Sequence, residues 1–197
     1  MMEAVSRCNN TRRMVWTALL SSVAAVLMYL DMAIPIFPAF LKMDLSDLPA
    51  LIAAFAWGPA AGVLVELVKN LLHAFTTSTA GIGEAANFLI GSALVVPAGM
   101  IYRQFRIKKG ALAGLVTGIL IMALTAALAN YFLLLPFYSR LIPLEKIIDL
   151  SSRILPAVHD KFTLVLYAIV PFNLLKGTLV SLMTLWLYKR ISSLFCR

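Results

Sequence analysis

Ionisable and amide side chains inside or at the edge of otherwise apolar stretches are the residues most able to do chemistry in this sequence, and they gather at four places. Glu66, Lys69, Asn70 and His73 fall within about two helical turns of one another. Glu66 and Lys69, at i,i+3, share one helix face, which Asn70 and His73 continue. That face reads either as a substrate or proton site or, the more economical reading, as a neutralised pair fixing helix packing. Glu84 and Asn87 follow a Gly81-Ile82-Gly83 turn. Glu84 suits the positive end of a helix dipole, and Asn87, one turn on, is placed either to pack or to face a cavity. Asn130 precedes Tyr131 and Phe132; Asn173 and Lys176 repeat the i,i+3 spacing. No acid in that last stretch neutralises Lys176, which therefore reads as a ligand contact, because ionisable groups in an apolar span face a partner or a cavity. Phosphate-binding loops, Gly-x-Ser-x-Gly, His-Glu-x-x-His and Cys-x-x-Cys are all missing from the sequence, so it reads as a non-enzyme. Transport against a gradient would have to draw energy from an ion or another protein.

The elements carrying these groups are membrane spans. The chain of 197 residues is 61% hydrophobic and 13% charged, with a mean hydropathy of +0.91. A soluble domain carries about 25% charged residues. Apolar stretches run over about 14–34, 48–76, 85–102, 110–138 and 162–188, each near the roughly 20 residues a helical crossing needs. Five crossings would separate the basic clusters onto opposite sides. Splitting the second stretch at Gly58-Pro59 gives six, since proline interrupts a helix. The expected spans are then about 14–34, 47–57, 59–76, 85–103, 110–138 and 161–189, forming one all-α transmembrane domain over 1–197. Ten Lys/Arg fall on one side (Arg7, Arg12, Arg13, Arg103, Arg106, Lys108, Lys109, Lys189, Arg190, Arg197) and five on the other (Lys42, Arg140, Lys146, Arg153, Lys161). Positive-inside bias puts both termini in the cytoplasm of a multi-pass cell-membrane protein.

The net charge of +8 therefore belongs to membrane flanks and does not point to nucleic acid. Cys8 and Cys196, near the two ends, are expected to stay thiols. Ser46 or Asp47 is placed to cap the short second span, with Pro49 in its first turn. The 35–46 connection is too apolar for a plain solvated loop, and 139–161 is polar enough to lie at the surface and hold a short helix. Small residues at close-packing spacing occur at Ala18, Ser21, Ser22 and Ala25, and at Gly110, Gly114 and Gly118. The glycines read as internal packing; the first set fits internal or intermolecular contact equally.

Several motifs occur in order: Phe40-Leu-Lys-Met-Asp-Leu-Ser-Asp-Leu-Pro-Ala-Leu51, Trp57-Gly-Pro-Ala-Ala-Gly62, Val65-Glu-Leu-Val-Lys-Asn-Leu-Leu-His73, Gly83-Glu-Ala-Ala-Asn-Phe-Leu89 and Pro171-Phe-Asn-Leu-Leu-Lys-Gly177. Together they closely resemble the riboflavin-specific substrate-binding (S) component of energy-coupling-factor (ECF) transporters, over about residues 14–190. The resemblance implies a six-helix S-component bundle with cytoplasmic termini. It implies a binding protein that captures its vitamin outside and works with a shared transmembrane subunit and two cytoplasmic ATPases. No cofactor is implied, only riboflavin or FMN as the transported ligand. Asn130, Asn173 and Lys176 match the family's flavin-ring contacts. The first outer loop, about Phe37–Asp44 with Phe40, Leu41, Lys42 and Asp44, matches the segment covering the site, and Glu84 and Asn87 join these as ligand candidates. Ala18, Ser22 and Ala25 match the stripe that meets the shared subunit, with Ser22 standing for an alanine. Independently, the uracil-like edge of a flavin presents an N–H between carbonyls, which asparagine amides and a lysine complement. Other vitamins, and a membrane enzyme using Glu66, Lys69 and His73, are the competing readings.

Overall fold

A computed structural model describes residues 10–38, 40–77, 81–139 and 143–195; Arg7, Cys8, Arg140, Cys196 and Arg197 lie outside the described residues. Its helices are α1 (Asn10–Tyr29), α2 (Asp47–Trp57), α3 (Pro59–Ala74), α4 (Ile82–Gln104), α5 (Lys108–Tyr138), α6 (Leu144–Ser152) and α7 (residues 161–195). α4, α5 and α7 contain stretches long and apolar enough to cross a membrane. Along α5, Leu112, Val116, Leu120, Leu124 and Leu128 are all exposed at i,i+4 spacing. An apolar outer face of this kind suits lipid.

α2 sits in the middle. Leu48, Ala50, Leu51, Ile52, Ala53 and Ala54 are all buried, packed by α1, α3, α4 and α7. At its end Gly58 adopts φ +96°, a conformation costly for any residue with a Cβ, and Pro59 opens α3 with a φ already suited to a helix. The chain doubles back there: Lys69, eleven residues after Gly58, bonds Asp47, eleven residues before it. The glycines of α5 bring backbones together. A Cβ on Gly114 would lie 2.8 Å from Ala98 O, and one on Gly118 2.5 Å from Leu94 O.

α5 and α7 each contain one widened π turn, Asn130–Leu134 and Val165–Ile169. Each is followed, six residues after its first residue, by a proline, Pro136 or Pro171. Proline lacks the N–H the helix ladder needs and its ring crowds the carbonyl four residues back. A wide turn just upstream relieves both faults without ending the helix.

Two expectations are corrected. The first apolar stretch stays helical only to Tyr29, not to residue 34, because Met32 and Ala33 are extended and pair with the returning chain, and Pro35 biases Ile34 away from the helical region. Residues 30–38 and 40–46 form a strap with a two-residue antiparallel pairing, Met32 with Met43 and Ala33 with Lys42. Neither proposed cap forms at α2: Ser46 makes no capping bond, because its hydroxyl donates to Asp44 and accepts from Lys69 at 2.8 Å. A capping box does form at α7, where Asp160 accepts from Thr163 N at 2.7 Å and Thr163 Oγ1 accepts from Asp160 N at 2.9 Å.

The bundle has two unlike ends. Arg13, Arg103 and Arg106 gather round the Gly58 turn. The strap and α6 lie at the other end, around a cavity.

Candidate ligand-binding site

The strap, α2, α3 and α7 bring five charged groups together where the chain is most buried. Lys176 Nζ lies 2.8 Å from Asp44 Oδ2 and 3.3 Å from Asp47 Oδ2. Lys69 bonds Asp47 and lies 2.8 Å from Glu66 Oε2. Asp47, Glu66 and Lys69 are completely shielded. The expectation of an unpaired Lys176 is thus corrected: its acids come from a different element, the strap and the start of α2. Glu66 and Lys69 do pair, but Lys69 is shared with Asp47 and Ser46. Gly91 leaves room for Glu66, since a Cβ there would meet Oε2 at 2.4 Å. Burying three carboxylates with two ammoniums is tolerable only because each ammonium touches two acids; unpaired buried charges cost several kcal/mol each, to an order of magnitude.

Asn130 and Asn173 are both buried, and each donates Nδ2 to the carbonyl one turn back, Ala126 O and Ile169 O, both at 2.8 Å. Those bonds hold the amides in place. By count each keeps its carbonyl oxygen and one N–H for another partner. Ala126 and Ile169 belong to one apolar cluster with Leu41, Met43, Ala168 and Phe172, so the two amides, Lys176 and the strap share a neighbourhood. Phe37 meets the Phe172 ring edge-on at 5.4 Å.

Beside this cluster lies a cavity of about 890 Å³, with Phe40, Lys42 and Glu84 in its lining. Its charged groups are paired, Lys42 with Asp31 at 2.9 Å and His73 Nδ1 with Glu84 Oε1 at 2.9 Å, and Tyr29 OH lies 2.9 Å from Thr76 Oγ1. Leu41 and Asp44 of the strap lie outside that lining, as do Asn130, Asn173 and Lys176 beneath it. Of the two alternatives for Asn87, the structure places it outside the cavity lining, with its Nδ2 pointing at Met28 Sδ of α1, 3.8 Å away. His73 leaves the Glu66–Lys69 group and pairs across to α4. Of the stripe on α1, Ala18 and Ser22 are exposed while Ala25 is 6% exposed and packed inside the bundle. Sequence reasoning missed Asp47 as the acid common to both lysines, and Tyr29, Asp31 and Thr76 at the cavity mouth. The signal for Asp47 was available: two intramembrane lysines require acids, and Asp44 and Asp47 are the nearest candidates outside their own spans.

A helical bundle with a lipid-facing exterior, a paired charge cluster and a mouth cavity under a strap has the parts of a membrane-embedded binding protein. The comparisons with known proteins specify it further. The family described as "ECF transporter, substrate-specific component" matches residues 12–188, and the chain belongs to that family: it is a transporter component, integral to a membrane, and not an enzyme. It is 33% identical over 186 residues to "Riboflavin transporter RibU" of Staphylococcus aureus (strain TCH60), covering 94% of this chain and 93% of that one. It is 34% identical over 173 residues to "Riboflavin transporter FmnP" of Bacillus subtilis (strain 168), covering 86% of each. A solved structure described as "Structure and mechanism of the S component of a bacterial ECF transporter" superposes with a TM-score of 0.76 at 32% identity, covering 96% of this chain and all of that one.

Proposed function

We propose that this protein captures riboflavin at the strap end of the bundle, which faces outside, and hands it to a shared transmembrane subunit driven by two cytoplasmic ATPases. The topology that goes with this is six spans, α1 to α5 and α7, with both termini in the cytoplasm of the cell membrane. The gathering of Arg13, Arg103 and Arg106 at one end supports it, as does the placement of eight of the nine acids (all but Glu3) away from that end. The observation that carries the ligand reading is the shared neighbourhood of Asn130, Asn173 and Lys176 beneath the strap. A flavin's uracil-like edge would take the free amide positions and Lys176, displacing Asp44 while Asp47 keeps the ammonium neutralised. The apolar rings would replace Leu41 against Ala168 and Phe172, and the ribityl chain would extend into the cavity, whose size lies within the roughly 300–1,000 Å³ typical of ligand pockets.

Riboflavin is favoured over FMN by the cavity's charges. Lys42 and His73 are already paired, and a phosphate would meet Asp31 and Glu84. Competition against bound riboflavin should therefore show weaker displacement by FMN. Asn173→Ala and Lys176→Ala should each weaken riboflavin binding by about 1–3 kcal/mol, the range for orphaning a buried hydrogen-bond partner. Unchanged affinity in both variants would move the site elsewhere. Ala18 and Ser22 supply the contact for the shared subunit in this reading, and Ser22→Trp should prevent assembly while sparing riboflavin binding.

A further inference from the structure

The end of the bundle opposite the strap holds a second pocket, of about 270 Å³, around the Gly58 turn. Arg13 of α1, Arg103 of α4 and Arg106 of the following connection line it, with Trp57 and Tyr102 as aromatic walls. Arg103 lies against the turn itself, its Nη1 3.8 Å from where a Gly58 Cβ would stand. Among the described residues none of the three arginines has a carboxylate partner. The acids are elsewhere: of nine in the chain, Asp31, Asp44, Asp47, Glu66, Glu84, Glu145, Asp149 and Asp160 belong to the strap end and the buried cluster, and Glu3 lies outside the described residues. α3 starts here at Pro59, turning the positive end of its dipole toward the pocket. The opposing carbonyls at the end of α2 are partly taken, Ala54 O by Gly58 N and Phe55 O by Tyr188.

We infer that this pocket binds the phosphodiester headgroup of an anionic phospholipid. Guanidinium groups match phosphate oxygens with paired donors, and basic pockets between membrane helices suit such headgroups. Lipid is favoured over a free phosphate because the residues next in sequence to the lining arginines are exposed and apolar: Met14 beside Arg13, and Phe105 and Ile107 beside Arg106, are 71%, 52% and 60% exposed, a surface suited to acyl chains, and Trp57 and Tyr102 are of the type that concentrates at headgroup depth. Lipid is favoured over a protein partner because Arg13 is turned away from the α1 stripe. At about 100° per residue it lies roughly 140° round the helix from Ala18.

The test is native mass spectrometry of the whole protein in detergent, titrated with dioleoylphosphatidylglycerol or dioleoylphosphatidylcholine at about 0.15 M salt, where diffuse charge attraction is screened beyond about 8 Å. One phosphatidylglycerol per chain should be retained in preference to phosphatidylcholine. Arg103→Gln/Arg106→Gln should weaken that adduct about 30-fold, taking about a fivefold factor for each basic residue at an anionic headgroup. Lys108→Gln/Lys109→Gln removes the same charge next door but outside the pocket lining, and should leave the adduct within about twofold. Equal losses in the two double variants would overturn the pocket, and so would equal retention of the two lipids. Displacement of the lipid by millimolar inorganic phosphate would overturn the lipid assignment. Both variants should keep the wild-type melting profile without added lipid, which separates loss of the headgroup site from misfolding.

Discussion

Replacing Lys69 with methionine probes the buried charge cluster at its centre. Lys69 is fully shielded and touches Ser46 Oγ, Asp47 and Glu66. At an effective dielectric of about 20, a pair 2.8 Å apart attracts by about 6 kcal/mol before desolvation is subtracted. Methionine fills a similar volume, so the variant keeps the packing and isolates the charge. Three carboxylates are then left with Lys176 alone, which touches Asp44 and Asp47 and leaves Glu66 without a cation, and removing one partner of a buried pair costs about 3–5 kcal/mol. For a chain this size about 1 kcal/mol moves a melting temperature by about 2–4 °C, so a fall of roughly 6–20 °C is expected in a detergent melt. Lys69→Met/Glu66→Gln should recover part of the loss, because the glutamine needs no counter-charge, with a coupling of about 0.5–3 kcal/mol between the sites. A melt of Lys69→Met within about 2 °C of wild type would refute the view that this cluster fixes α2 against α3.

Gly91→Ala places a Cβ 2.4 Å from Glu66 Oε2; overpacking there should cost about 1–3 kcal/mol, seen as a lowered melt that Glu66→Ala partly relieves. Asp160, fully exposed at the start of α7, has its carboxyl held below the ordinary value of 3.8 by hydrogen bonds from Thr163. Its folded value is depressed, so its stabilisation is present above pH 3.8 and is lost as pH falls through the folded value. Asp160→Asn should accordingly melt below wild type at pH 7 and converge with it in strong acid; a pH-independent difference would contradict the capping account. Gly58→Ala, at φ +96° and ψ 169°, should lower the melt by forcing a Cβ into an essentially glycine-only region, at a cost of about 1–3 kcal/mol.

Much of this architecture is written in local features. The break at Gly58-Pro59 is legible because a positive-φ glycine followed by proline leaves the chain no helical continuation. The packing role of Gly110, Gly114 and Gly118 follows from their spacing. The π turns are not legible, since Pro136 and Pro171 announce a fault in the ladder but not how the helix absorbs it. The partners of Lys176 escaped for a related reason. Spacing within one helix shows which residues share a face, whereas Asp44 lies 132 residues away, and only the folded strap brings it close. Asn87 and Ala25 show the same limit: residue type marked them as notable, but their direction within the bundle depends on how α1 and α4 pack.

The central claim is that the strap end binds a flavin. Saturable quenching of riboflavin fluorescence by the purified, monodisperse protein tests it most directly. One riboflavin per chain, bound at nanomolar to micromolar ligand, is the expected result; folded protein that leaves the fluorescence unquenched across that range would contradict it.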